Sequence, residues 1–63
     1  MKIEGWIARD KDGTLVFSEK ELKPFKECFI SNDLQDWELP KDFLPDLTFE
    51  NSPRKAILSI ELL

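Results

Sequence analysis

The stretch "ARDKDGTLVFSE", Ala8 to Glu19, admits two readings that lead to different proteins. As a calcium loop it offers Asp10 and Asp12 as oxygen ligands, Gly13 at the bend, Leu15 as the apolar anchor and Glu19 as the closing carboxylate. As a hairpin it is an Asp-Gly turn between two runs of strand formers. The residue types decide for the hairpin. A calcium loop begins on Asp, where this stretch has Ala8, and is flanked by helices. Here "EGWI" precedes the bend and "LVFS" follows it, with β-branched and aromatic residues that favour strands. Asp-Gly between two apolar strands is a strong short-range hairpin signal. Asp10 and Gly13 fit the first and fourth places of a type I turn, with Gly13 in the left-handed region. The expectation is strands over about 2–10 and 13–19, Asp10 capping the turn through backbone N–H groups two residues on, and no metal in the loop.

Outward from the turn, Ile3, Gly5, Ile7 and Arg9 share one face of the first strand, and Glu4, Trp6 and Ala8 the other. Gly5 in mid-strand marks a bulge or a close neighbour. Beyond the hairpin, Ser18 and Glu21 have capping-box spacing, but Pro24 would break a helix begun there. An irregular connection to about Pro24 follows. A third strand then runs through "KECFIS", with Phe29 on one face and Cys28 and Ile30 on the other. "SNDLQD" reads as a loop and "WELP" as a short extended piece. "PKDFLPDL" predicts one helical turn, started by Pro40 and stopped by Pro45, with Phe43 and Leu44 plugging the core. "TFENSP" is a loop.

The C-terminal "RKAILSIELL" alternates with period two. Ala56, Leu58, Ile60 and Leu62 lie on one face; Lys55, Ile57, Ser59 and Glu61 on the other. At a sheet edge, the free N–H and C=O groups of this strand would invite a second copy of the chain. In a central position that need disappears. The architecture expected is mainly β, with a small α+β arrangement as the variant. It is a single antiparallel sheet of three to four strands with one short helical turn, in one domain over 1–63.

Composition narrows the function. A chain of 63 residues buries only about 60% of the surface its unfolded form exposes, so it needs good packing or a partner. Cys28 is the single cysteine, which leaves no internal disulfide and argues for a reducing compartment. No apolar run reaches the roughly 18 residues of a membrane helix, and "MKIEGWIARD" has no apolar signal region. The expected location is the cytoplasm, with no membrane partner. Two Trp and five Phe supply the core of an ordered domain.

The net charge is −4, and Ser31–Ser52 carries six acids against Lys41 alone. Such a segment argues against a nucleic-acid partner, which needs clustered Lys and Arg. There is no histidine, so no Ser-His or Cys-His pair and no zinc site with one thiol. Cys28 in "CFI" reads as a small buried hydrophobe. Asp33, Asp36 and Glu38 could pair as carboxylates, but so small a chain has no room for a substrate cleft beside its core. No enzyme, catalytic residue, cofactor or metal is expected. Trp6 and Trp37 read first as core. An exposed Trp37 rimmed by Asp33, Asp36 and Glu38 would instead be a protein-contact patch.

The function expected is therefore a non-enzymatic protein-interaction module with a protein partner. Its rivals are a structural homodimer subunit and an acidic inhibitor that mimics nucleic acid through its Asp33–Glu50 charges.

The pattern W-x-x-R-D-x-D-G-x-L-x-x-F at Trp6–Ser18, with Phe17 one place early, is followed by "LP…F-x-P-x-L-T-[FW]-E-x-x-P" over Leu39–Pro53. Together they resemble a group of short uncharacterised bacterial proteins of phage or mobile elements. That resemblance covers most of the chain. It implies no activity and carries no functional residue across.

Overall fold

The Asp12-Gly13 turn joins β1 (Lys2–Arg9) to β2 (Leu15–Ser18) as an antiparallel hairpin, with Ile7 opposite Phe17 and Arg9 opposite Leu15. Gly13 has φ +97, the conformation that glycine adopts at least cost. Its N–H donates to the Asp10 carbonyl at 2.9 Å, and the Asp10 N–H donates to the Thr14 carbonyl at 2.8 Å. The cap of the turn differs from expectation. Asp12 accepts the N–H two residues on, from Thr14 at 2.9 Å. Asp10 turns away and accepts the Phe29 N–H at 3.0 Å.

The computed structural model describes residues 1–31 and 36–63. Around the hairpin it places β3 (Lys23–Phe25), β4 (Cys28–Ile30), β5 (Trp37–Leu39) and β6 (Arg54–Ser59). Four strands form one antiparallel sheet in the order β5-β2-β1-β6, while β3 and β4 form a separate two-stranded sheet. The protein is mainly β, and no helix occurs among the described residues.

Alternation along the strands gives the main sheet two apolar faces. One buries Ile7, Leu15 and Phe17 against Leu47, with Ile3, Leu39, Ala56 and Leu58 packed around them. The other buries Ala8 against Leu22 and Phe29, with Trp6, Val16 and Phe49 packed around them. The Phe29 and Phe49 rings meet at 5.5 Å. Each fully buried side chain of this kind, such as Phe17, Leu15 or Leu22, contributes about 1.5–3 kcal/mol. The sheet is thus a middle layer. The 40–47 segment lies on one side and the β3–β4 hairpin on the other.

Two expectations are corrected by that layering. The third strand does not join the main sheet. It pairs with a strand through Pro24 that the sequence reading gave to an irregular connection, and the resulting hairpin lies across the second face. The Asp10–Phe29 bond and a Lys11 N–H to Glu27 carbonyl bond of 2.9 Å hold it there. Proline is tolerated because a two-stranded ribbon has only edge strands.

Nor does 40–47 form a helical turn. It makes two successive four-residue turns, 40–43 and 44–47, closed by Phe43 N–H to the Pro40 carbonyl at 3.1 Å and Leu47 N–H to the Leu44 carbonyl at 2.9 Å. Between them Leu44 takes φ +51, which no right-handed helix contains. Phe43 and Leu44 are consequently exposed, and Leu47 plugs the core in their place.

Gly5 lies against a close neighbour, one of the two alternatives the sequence left. A Cβ built on it would stand 2.2 Å from the Ser18 carbonyl oxygen and 2.8 Å from the Phe17 ring. Only glycine lets Phe17 cross β1 at this point.

Candidate functional site

Of the residues expected to rim an exposed Trp37, Asp36 and Glu38 are described. Trp37 and Glu38 are neighbours in β5 and so point to opposite faces. Trp37 lies on the core side, 38% exposed, with its ring 5.9 Å from that of Phe17. Glu38 is exposed on the other side, opposite Val16 in register. Asp36 is exposed and accepts a hydrogen bond from the Ser31 hydroxyl at 3.0 Å. Asp33 lies outside the described residues. Trp6 is half-buried against the second core, and the Lys55 ammonium sits 5.4 Å from its ring centre. Cys28 is half-buried and its thiol donates to the Phe25 carbonyl at 3.1 Å.

The turn carboxylates serve the fold. Burial pushes the Asp10 carboxyl above its ordinary value of 3.8. The Phe29 N–H works against that rise, and the nearby Asp12 and Glu38 charges add to it. Asp12 is held below 3.8 by the Thr14 N–H. The two carboxylates bond to different amides, and among the described residues no group of His, Cys, Asp and Glu is placed to hold a metal ion.

Arg9 is the polar centre of the molecule, and the sequence reading gave it no role. It projects from the core-side face of β1, where an arginine among Ile3, Gly5 and Ile7 was the available signal. All five of its N–H donors reach carbonyl oxygens: Nε to Leu47 at 2.9 Å, Nη1 to Gly13 at 3.0 Å and Lys41 at 2.7 Å, Nη2 to Phe43 at 2.6 Å and Leu44 at 3.0 Å. The planar fork suits a ring of carbonyls in a way an ammonium cannot match. One side chain thereby gathers the 41–47 segment onto the hairpin.

The longest open strand edge of the main sheet among the described residues is the outer edge of β6. Strand β6 pairs with β1 on one side, and among the described residues no strand lies on its other side. The ladder phase identifies which groups are free. Met1 and Ile60 exchange two bonds, of 2.9 and 3.0 Å. Bonded and non-bonded pairs alternate in an antiparallel ladder. Arg54, Ala56, Leu58 and Ile60 therefore direct their N–H and C=O groups at β1, and Lys55, Ile57 and Ser59 direct theirs outward.

Apolar surface accompanies that edge. Ile57 is 60% exposed and Ile60 56%. A shallow groove runs along β6 on each face of the sheet. One is lined by Trp6, Glu19, Lys55 and Ile57 among others, the second by Ile7, Leu44, Leu47 and Ala56 among others. The opposite edge, β5, is three residues long and offers less.

No family model, no curated protein and no solved structure matches the chain.

Proposed function

We propose that the protein is a non-enzymatic interaction module that works by strand addition at β6. The observation that carries this reading is the row of outward N–H and C=O groups at Lys55, Ile57 and Ser59, with exposed Ile57 among them. An extended segment laid along this edge would complete the backbone bonds, and its alternate side chains would enter the two flanking grooves. The layered core supports a binding role for this edge. Both sheet faces are already covered near the hairpin, so the principal open bonding surface is lateral.

The test is a selection of short peptides from a random library, followed by amide-shift mapping of the binders. Binders should perturb Lys55, Ile57 and Ser59 and lose affinity on Ile57→Pro. That substitution removes an outward N–H and leaves the β1 ladder intact, since proline is tolerated where the N–H faces away from the sheet. Binders that map to β5 or to the hairpin, and that ignore Ile57→Pro, would overturn the proposal.

A further inference from the structure

Resting on that reading of the edge, we infer that the occupant of β6 is β6 of a second copy of this chain, antiparallel, with Lys55 of each copy opposite Glu61 of the other. The ladder phase restricts the registers. Only residues with outward groups can form bonded pairs across a new edge; these are Lys55, Ile57 and Ser59, and Glu61 joins them when the pairing prolongs β6 by two residues past Ser59. A two-fold pairing then centres on one of a few positions. Centred on Ile57 it sets Lys55 against Ser59. Centred on Ser59 it sets Ile57 against Glu61. Centred on Leu58 it sets Lys55 against Glu61 and Ile57 against Ser59. That last register alone pairs opposite charges across the new edge, twice by symmetry, and opposite charges directly across a strand pair are stabilising.

The apolar side of the pairing agrees with the same register. Ala56 and Leu58 sit on the core face, half-buried and packed at the margin of the first cluster. With Leu58 on the two-fold axis, Leu58 meets Leu58 in a non-bonded pair, where side chains approach most closely. Ala56 then meets Ile60, a small residue against a large exposed one. Exposed Leu44, which lines the groove beside Ala56, extends that apolar strip. The two four-stranded sheets become one of eight strands, and the first core becomes continuous across the axis.

Sedimentation equilibrium between about 1 μM and 1 mM should show the mass rising from one chain to two, as suits a small interface. Lys55→Glu or Glu61→Lys should each weaken association roughly tenfold, because two exposed pairs worth about 1.4- to 5-fold each are turned into repulsions. The double variant Lys55→Glu/Glu61→Lys should restore it. In a Cys28→Ser background, Leu58→Cys should oxidise to a linked dimer, with its Cα atoms opposed at about 4.5 Å. Ile57→Cys should not, because its symmetry mate sits on the diagonal at about 7–8 Å.

A one-chain mass at every concentration overturns self-pairing. If peptides sensitive to Ile57→Pro still bind in that case, the occupant was wrong and the edge reading stands. If they do not bind, both fall. A dimer indifferent to the charge swap and to Ile57→Pro uses another surface and also overturns the inference. Should Leu58→Cys fail to fold, the charge swap decides alone.

Discussion

Replacing Arg9 tests the claim that one guanidinium holds the 41–47 segment in place. Three of its five bonds are exposed and two, to the Leu47 and Gly13 carbonyls, are partly buried. A hydrogen bond to a charged group is worth about 1.5–3 kcal/mol when partly buried, and the exposed ones count for much less. Two at the lower end, with a small addition from the other three, give a loss of about 3–4 kcal/mol for Arg9→Ala. A chain of 63 residues has a total stability of roughly 3–9 kcal/mol, so the variant should sit near its unfolding threshold. Arg9→Lys is the sharper probe. It keeps the positive charge and most of the stem, but has three donors on one atom and cannot span five carbonyls. Urea denaturation followed by tryptophan fluorescence measures both variants. Lysine should recover less than half of the alanine deficit, and amides of 41–47 should exchange faster in both. An Arg9→Lys protein within about 0.5 kcal/mol of the parent would show that the charge matters and the fork does not, and would refute the reasoning.

The two glycines should respond differently to alanine. Gly5→Ala drives a Cβ into the Ser18 carbonyl and the Phe17 ring and should cost about 3 kcal/mol, whereas Gly13→Ala meets open space and should cost about 1 kcal/mol for its positive φ; equal denaturation midpoints would contradict this. For Asp10, the folded pKa lies above the unfolded value, so its ionisation opposes folding: its contribution is most favourable below about pH 3.8 and declines as pH rises through the folded pKa. Asp10→Asn keeps an oxygen for the Phe29 N–H and should match or exceed the parent's midpoint at pH 7, with the advantage shrinking towards pH 3.8; a clear loss at pH 7 would reverse the sign. Lys26 holds φ +57 in the β3–β4 turn, so Lys26→Gly should raise stability by about 1 kcal/mol, read as a higher urea midpoint.

Local signals with a single physical cause carried over from sequence to structure. Asp12-Gly13 marked the hairpin because few residue pairs tolerate that bend. Alternation in "RKAILSIELL" marked β6 because one face had to be apolar, although the strand stops at Ser59 and leaves Ile60 and Leu62 exposed. What depended on distant parts of the chain did not carry over. Pro40 and Pro45 suggested a helical turn, but Arg9 collects carbonyls from the same segment and holds it as consecutive tight turns, with Leu44 at φ +51. Pro24 suggested a break, yet a separate ribbon accepts it, and nothing local announces that the ribbon packs across the second sheet face. Around Trp37, neighbours in sequence are not all neighbours on the surface, since strand alternation sends Trp37 and Glu38 to opposite faces. The edge position of β6 was the undecided condition in the sequence. It follows from β2 and β6 taking the two sides of β1.

Amide hydrogen exchange along β6, resolved by residue and followed against protein concentration, bears most directly on the claim that this edge is where the protein binds its like. The amides of Ala56, Leu58 and Ile60 face β1 and should be protected at every concentration. Those of Ile57 and Ser59 should exchange freely at high dilution and gain protection as concentration rises, in step with the two-chain mass. Ile57 and Ser59 unprotected throughout, or protected equally at the lowest concentration, would contradict the account.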